Sequence, residues 1–427
     1  VSRPERKGSL GALRHRDFAI FWTAAAISNA GGWMQVVAIP AFLYDLTGKA
    51  SWLGYASLAS LMPAVFLTPY AGVLADRIPR RTILLVTQTM QMSVAALMWY
   101  LFASDQLTPG LIIGLGFVTG VATGFQTAAW QSFVPLLVPP DEMLDAVKLN
   151  SVQFTLARAL GPAFAGVTVA AWGTGAAIGI NTVTYGLVIL ALVFAHPRAT
   201  PLASRTESVM LQMRGGARYV WRNRPLRLAV SIAFITALSG QSLQHVAPAI
   251  AEDVLGRNST DNAGLLVALG LGALASSGFS VIAGDRLPRS TRVLVALGGF
   301  LLSCVMIAAT SNYVVGLAGY FIGGMAHLQS AVALNTMIQG CVPEHVRGRT
   351  MSFYVLGILL GIPVGSYMLG GLGDLLGMRT ALIINAAIFG VVIAVLVVAR
   401  LLPDLDTEHI PDDDHSPSLT LTEESLP

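Results

Sequence analysis

Asp76-Arg77-Ile78-Pro79-Arg80 recurs 209 positions later as Asp285-Arg286-Leu287-Pro288-Arg289. Each copy interrupts a long apolar stretch, so each reads as a charged turn between two lipid-embedded segments. A repeated turn implies a repeated unit. At an offset of 208, Gly32, Pro40, Asp45 and Gly48 meet Gly240, Pro248, Asp253 and Gly256. At 203, Gly120, Gln126, Ala128 and Pro140 meet Gly323, Gln329, Ala331 and Pro343, and at 204 Asn181 and Gly186 meet Asn385 and Gly390. Changes in loop length account for that drift. Chance similarity between apolar segments is the competing explanation, and the charged turns argue against it.

Around these anchors the 427 residues are 54% hydrophobic and 11% charged, with a mean hydropathy of +0.66. That composition does not describe a water-facing surface. Crossing a bilayer core of about 30 Å takes about 20 helical residues. Apolar runs of that kind lie at 18–44, 51–75, 82–104, 109–134, 150–172, 174–196, 226–252, 262–284, 290–310, 312–340, 348–372 and 378–402. The runs are continuously apolar rather than alternating, which selects helices over a barrel. The expected fold is an all-α polytopic membrane protein with 12 transmembrane helices in two parallel six-helix repeats, 18–196 and 226–402.

Positive charge is retained on the cytoplasmic side of short loops. With the N-terminus inside, 22 of the 26 Lys and Arg residues fall in cytoplasmic segments. Lys49, Arg257 and Arg379 fall outside, and Arg158 lies within a span. Both termini are thus expected in the cytoplasm, in a multi-pass protein of the cell membrane. Residues 1–17 form a basic leading segment, and the apolar run after them is too long for a signal-peptide core. Residues 197–225 are an Arg-rich linker, in which Val209 to Trp221 fits either a short amphipathic surface helix or a plain solvated connection. The tail, 403–427, is acidic, without apolar periodicity, and expected to be disordered. A pI near 9.0 invites nucleic acid as a partner, but the basic residues alternate with spans and form no recognition module. Cys304 and Cys341 lack metal-ligand spacing and read as packing residues.

The stretch Gly72-Val73-Leu74-Ala75-Asp76-Arg77-Ile78-Pro79-Arg80-Arg81 resembles the loop signature of the major facilitator superfamily of secondary transporters. The resemblance covers about residues 10–402 and implies the major facilitator fold, in which parallel repeats surround a central site. Pro79 replaces the usual Gly. In the second copy Val281 and Ser290 replace the first Gly and the last basic residue. The resemblance implies that Asp76 locks the cytoplasmic side of the outward-facing state, partly through a helix dipole, with Arg77, Arg80 and Arg81, and Asp285, Arg286 and Arg289, as accessory charges or plain topology signals. Ala157-Arg158-Ala159-Leu160-Gly161-Pro162-Ala163-Phe164-Ala165-Gly166 resembles the Gly-Pro motif of the superfamily's exporters, although Ala157 and Ala165 stand for two of its glycines. Pro162 bends the helix and small residues permit close approach. Gly32-Trp33-Met34-Gln35, Leu149-Asn150-Ser151-Val152-Gln153-Phe154 and Gly216-Ala217-Arg218-Tyr219-Val220 resemble the enterobactin-exporter-like branch, also called transmembrane secretion effectors. That resemblance implies efflux of a small amphipathic compound, drug-like or siderophore-like; import of a nutrient by the same fold is the alternative.

Polar side chains are costly in hydrocarbon, so those within spans are candidates for the bundle interior. They are Asn29, Trp33 and Gln35 in span 1; Gln126 and Trp130 in span 4; Gln153 and Arg158 in span 5; Gln241, Gln244 and His245 in span 7, which α-helical spacing puts on one face; and His327, Gln329 and Asn335 in span 10. Arg158 fits an anionic substrate group, or else snorkelling or pairing with a neighbouring helix. Every Asp and Glu lies in a loop, a tail or near a span end. His245 and His327 are then the mid-span groups able to couple proton entry to cargo exit, with packing histidines as the alternative. No Gly-x-x-x-x-Gly-Lys-Ser/Thr, His-Glu-x-x-His or Gly-x-Ser-x-Gly occurs, so neither a nucleotide-driven pump nor an enzyme is expected, nor any cofactor or metal. A channel or sensor leaves the repeated loops unexplained. The expected partners are the lipid bilayer, a small-molecule substrate and a coupling proton, with the chain a monomer.

Overall fold

A computed structural model describes residues 11–198, 209–283 and 287–407. Among them, ten helical stretches are long and apolar enough to cross a membrane. One of these, Pro140–Phe194, has 55 residues, or about 80 Å at helical rise, enough for two crossings. It turns at Gly173, whose φ of +81° places it in the left-handed region that only glycine enters freely. Asn262–Ala283 adds a further apolar helix of 22 residues. The result is consistent with twelve crossings.

In chain order these are α1 Arg16–Thr47, α2 Ala50–Arg77, α3 Arg80–Ala103, α4 Pro109–Phe133, and α5 and α6, 143–172 and 174–194 on either side of the kink. After the linker come α7, starting at Arg224–Ile235, α8 Asn262–Ala283, α9 Arg289–Ala308, α10 Tyr313–Cys341, α11 Glu344–Leu376 and α12 Met378–Val398. Apart from α5, which begins at Met143 rather than 150, each lies within a few residues of its sequence expectation, and the exception in regularity is α7. That helix does not stay regular. It passes through a π turn at Thr236–Gly240 and a 3-10 turn at Gln241–Gln244, and resumes at Ala247–Ala249 before a second π turn at Ile250–Val254.

The repeat is visible in the bonds that hold each half. Asn181 of α6 donates to Gln35 Oε1 of α1. Its counterpart Asn385 of α12 donates to the carbonyl of Ser239 in α7 at 2.5 Å. Both asparagines are buried, where an unmade bond would cost about 1–3 kcal/mol. The outer faces carry large apolar side chains such as Val183 at 67% and Val398 at 82% exposure, which suits hydrocarbon as solvent.

The linker forms a helix, Val209–Arg222. Gly216 lies against Phe353 and Arg349 of α11, Val220 is buried, and Trp221 is exposed, so the segment is amphipathic rather than plainly solvated. The tail expectation needs correction at its start. Leu402–Leu405 is helical with Leu405 fully buried. Asp404 pairs with Arg224 at 2.9 Å, and Asp406 accepts from the backbone and hydroxyl of Ser290 at 3.0 and 2.5 Å. The carboxylates that suggested a solvated tail are used as anchors. Residues 1–10, the tail beyond 407, Asp285, Arg286, the surroundings of Gly72 and the side chain of Asp76 lie outside what is described.

At the end remote from the linker, the halves are joined. Asp374, near the end of α11, accepts from the first backbone N–H groups of α2, Ala50 at 2.7 Å and Ser51 at 3.1 Å. The Tyr44 hydroxyl donates to Asp253 at 2.7 Å, the Ser259 hydroxyl to Asp45 at 2.5 Å, and the Asn262 amide to the Val37 carbonyl at 3.2 Å. α2 and α11 approach backbone to backbone there, because a Cβ on Gly370 would lie 2.4 Å from the Ala50 carbonyl oxygen.

Candidate functional site

Between the halves lies a cavity of about 1200 Å³. Its floor includes Ile39, Leu53 and Ile112, all buried, on the side sealed by the Asp374 contacts. From there it reaches the linker-side ends of α4 and α5 at Val134 and Val147. The volume exceeds the roughly 300–1,000 Å³ of ordinary ligand pockets.

Asn29, Trp33, Gln35, Gln126, Trp130, Arg158, His245 and His327 all line this space. Five other candidates do not. On α5, Val147, Asn150, Ser151, Phe154, Thr155 and Arg158 form the lining face. At about 100° per residue, Gln153 points about 140° away from Arg158, and it is 2% exposed within the helix packing. Gln241 and Gln244 were placed on one face with His245 by α-helical spacing, which the π and 3-10 turns of α7 cancel. Gln244 instead bonds His245 across 3.1 Å. Gln329 is buried, two residues and about 200° around α10 from His327. Asn335 lies about two turns further along and accepts from Gln339 at 2.6 Å.

The wall also contains polar groups missing from the sequence candidates. Gln91 of α3 donates to Thr123 of α4 at 3.1 Å, and Gln88, Thr119, Ser60, Tyr185 and Ser277 line the space with them. Their α-helical periodicity was readable, but short polar residues are common in transmembrane packing and stood out less than His or Arg. Several of the hydroxyls bond their own helix, as Thr123 does to the Thr119 carbonyl at 2.9 Å.

The two tryptophans differ in kind. Trp130 is buried, donates to Asn150 Oδ1 at 3.3 Å and packs on Phe21 with ring centroids 4.9 Å apart, so it belongs to the wall. Trp33 is half-buried and borders the cavity. It rests on α5 at Gly161, where a Cβ would stand 2.4 Å from Trp33 Cβ. One turn and a half further on, Gly166 faces Ala263 of α8 in the opposite half, with 2.8 Å for an added Cβ. The exporter-like glycines around Pro162 therefore serve two close helix contacts, one within the half and one between halves.

Arg158 faces the cavity and makes no hydrogen bond or ion pair among the described residues. His327 Nδ1, from the other half, is buried without a hydrogen-bond partner among the described residues, within electrostatic reach of Arg158. In the charged loop, Arg81 donates to the Leu192 carbonyl at 2.7 Å and to that of Val193, which places its charge at the C-terminal end of α6, where a cation is stabilised. Arg289 similarly donates to Cys341 Sγ and the Thr407 carbonyl, both at 3.1 Å. Arg77 is exposed.

A family model described as transmembrane secretion effector matches residues 7–425. Macrolide efflux protein A of Streptococcus pyogenes is 25% identical over 213 residues, 49% of this chain and 52% of that protein. The staphyloferrin A transporter of Staphylococcus aureus is 23% identical over 229 residues, 51% of this chain and 57% of that one. The chain thus spans about half the length of these two relatives. Multidrug efflux pump Tap of Mycolicibacterium fortuitum is 27% identical over 395 residues, 86% of this chain and 93% of Tap. In fold, the chain is similar to a bacterial homolog of the human lysosomal transporter Spinster in an inward-facing, occupied conformation, with a TM-score of 0.72 at 12% identity over 95% of this chain and 99% of that one. By sequence match along nearly its whole length, and by the helical architecture around a central cavity, this chain belongs to the transmembrane secretion effector family of major facilitator superfamily transporters.

Proposed function

We propose that the chain is a secondary active transporter that works by alternating access and exports a small amphipathic compound, drug-like or siderophore-like, across the cell membrane. The observation that carries this is the large cavity between the halves, reaching the linker-side helix ends while the opposite end is closed by the bonds of Asp374, Tyr44 and Asp45. Such a site loads from one side and must release to the other. Macrolide, staphyloferrin and multidrug transporters among the relatives support export of this kind of cargo. The halves 18–196 and 226–402 move as the rocking bodies, joined by 197–225 on the cytoplasmic side. The chain acts as a monomer in the bilayer, with no nucleic acid or cofactor.

The drive is a proton gradient, taken up by His245 or His327. Both line the cavity, and imidazole is the side chain whose ordinary titration spans neutral pH. Asp76, with Arg77 and Arg80, closes the cytoplasmic side in the opposite state. The test measures accumulation of labelled macrolide and of ferric-siderophore precursors in cells with and without the protein, together with efflux from preloaded cells after energy is restored. Faster energy-dependent efflux is expected. Net uptake on energisation would instead establish the importer, and unchanged flux in both directions would remove transport of these cargoes.

A further inference from the structure

We infer that the cargo is an organic anion, held by Arg158 against the Trp33 ring, and that the membrane potential adds to the proton gradient in driving its exit. The inference rests on the export reading and gives it a substrate class. No Asp, Glu or Lys lines the cavity among the described residues, and Arg158 is its one fixed charge.

Arg158 stands eight residues, about 12 Å, beyond Asn150 and fourteen residues, about 21 Å, short of Trp172 along α5. A guanidinium at that depth needs hydration or a counter-charge. Two structural explanations for it fail here. Snorkelling carries a charge along the lipid face to the interface, whereas Arg158 faces the internal cavity. Pairing with a neighbouring helix would give a hydrogen bond or salt bridge, and none exists among the described residues. The counter-charge is therefore left to the occupant. A carboxylate, sulfonate or phenolate offers the planar or multi-oxygen acceptor that a guanidinium binds best.

The neighbours define the rest of the molecule. Trp33 packs on Gly161, one turn above Arg158, and gives an aromatic face beside the cation. Asn29, Gln126 and His327 are further polar groups of the same lining. An apolar planar body with one anionic group satisfies all of these at once. A cationic amphiphile meets the repulsion of Arg158 and finds no carboxylate.

The sign of the charge also decides the energetics. In a cell negative inside, a monoanion leaves down the electrical gradient, and 100 mV favours its outward distribution about fifty-fold. A cavity of this composition can thus export anions without a membrane-embedded carboxylate.

The full chain is purified in detergent and titrated with 1-pyrenebutyrate, its methyl ester and ethidium, with tryptophan-to-pyrene energy transfer and ethidium emission as signals. Pyrenebutyrate is expected to bind at least tenfold more tightly than the ester, and ethidium more weakly than either. Arg158→Gln should bring acid and ester within about twofold of each other, Arg158→Lys should keep most of the difference, and an unchanged melting temperature of both variants serves as the folding control. In proteoliposomes with a valinomycin-set potassium potential, pyrenebutyrate flux should rise toward the positive side, and ester flux should not respond. Equal affinity for acid and ester in the wild type, preference for ethidium, or an Arg158→Gln variant that keeps the acid preference each overturns the inference. If ethidium or ester is transported without any anion preference, export stands and the anion assignment alone falls. If none of the three probes is transported, the export of amphipathic compounds falls with it.

Discussion

Removing the Asp374 carboxylate should open the end of the molecule remote from the linker. Its two oxygens accept from Ala50 and Ser51 at 2.7 and 3.1 Å, at the N-terminus of a helix from the other half. A side-chain acceptor on a helix N-terminus contributes about 1 kcal/mol, and a negative charge near the helix dipole adds up to about 1 kcal/mol. Asp374→Ala therefore removes about 2 kcal/mol from the closed arrangement, which corresponds to an about thirtyfold change in the ratio of closed to open molecules. Asp374→Asn keeps an acceptor but loses the charge, so about fivefold is expected. Spin labels at Leu46→Cys and Leu375→Cys, both exposed near that end and on opposite halves, would report the change as a longer-distance population in pulsed dipolar spectra. The native Cys304 and Cys341 are buried and should label little. A distance distribution for Asp374→Ala that matches the unsubstituted protein would refute the latch and the free-energy estimate together.

Three further outcomes follow from the geometry. Gly161→Val places a side chain where even a Cβ would lie 2.4 Å from Trp33, so it should lower stability by about 1–3 kcal/mol and abolish probe binding, read by thermal unfolding and by the pyrene titration; unchanged binding would mean that Trp33 is not fixed by α5. Asn181→Leu leaves Gln35 Oε1 without its donor and should cost about 1–3 kcal/mol, measured as a lower melting temperature in detergent, whereas Thr182→Val, which removes only a bond to its own helix at 3.0 Å, should cost far less. His327→Gln should remove the acceleration of export by an imposed pH gradient while leaving the response to membrane potential, and a full pH response in both His327→Gln and His245→Gln would exclude either imidazole as the proton carrier.

The sequence made the architecture legible because lipid imposes a simple rule on it. Each crossing needs about twenty apolar residues, and the charges between them record orientation. Irregular backbone was harder to read. The turns of α7 at 236–244 contain no proline, so α-helical spacing placed Gln241, Gln244 and His245 together when only His245 reaches the cavity. Gln153 failed for a different reason. Its polarity marks it, but five residues from Arg158 it lies about 140° around α5, away from the cavity. The docked residues 403–407 were hidden by their acidity, which suggests solvent until Arg224 and Ser290 are seen beside them. Asp374 reads in the sequence only as an acid near a span end, and the proximity of α2 gives it its partner.

That proximity bears on the whole cycle. Gly370 and Asp374 are four residues apart, as are Gly72 and Asp76, and each pair lies near the C-terminal end of its helix, α11 or α2. The contacts of Gly54 with Tyr367 and of Ala50 with Gly370 and Asp374 run in opposite order along the two helices, so α2 and α11 are antiparallel. The C-terminal end of each therefore lies beside the N-terminal end of the other, at opposite faces of the membrane. Because the two helices belong to different halves, opening the cavity at one face in the proposed alternating-access cycle separates the pair at that face and brings the other together. In the proposed cycle, the Asp374 cap on α2 is lost as an Asp76 cap on α11 forms. Two caps of the same chemistry nearly cancel, so the resting balance stays within a few kcal/mol and a bound anion or an electrical gradient is enough to shift it. A transporter locked by a latch at one end only would lack that balance, and its cargo would have to overcome the full energy of the latch in every turnover.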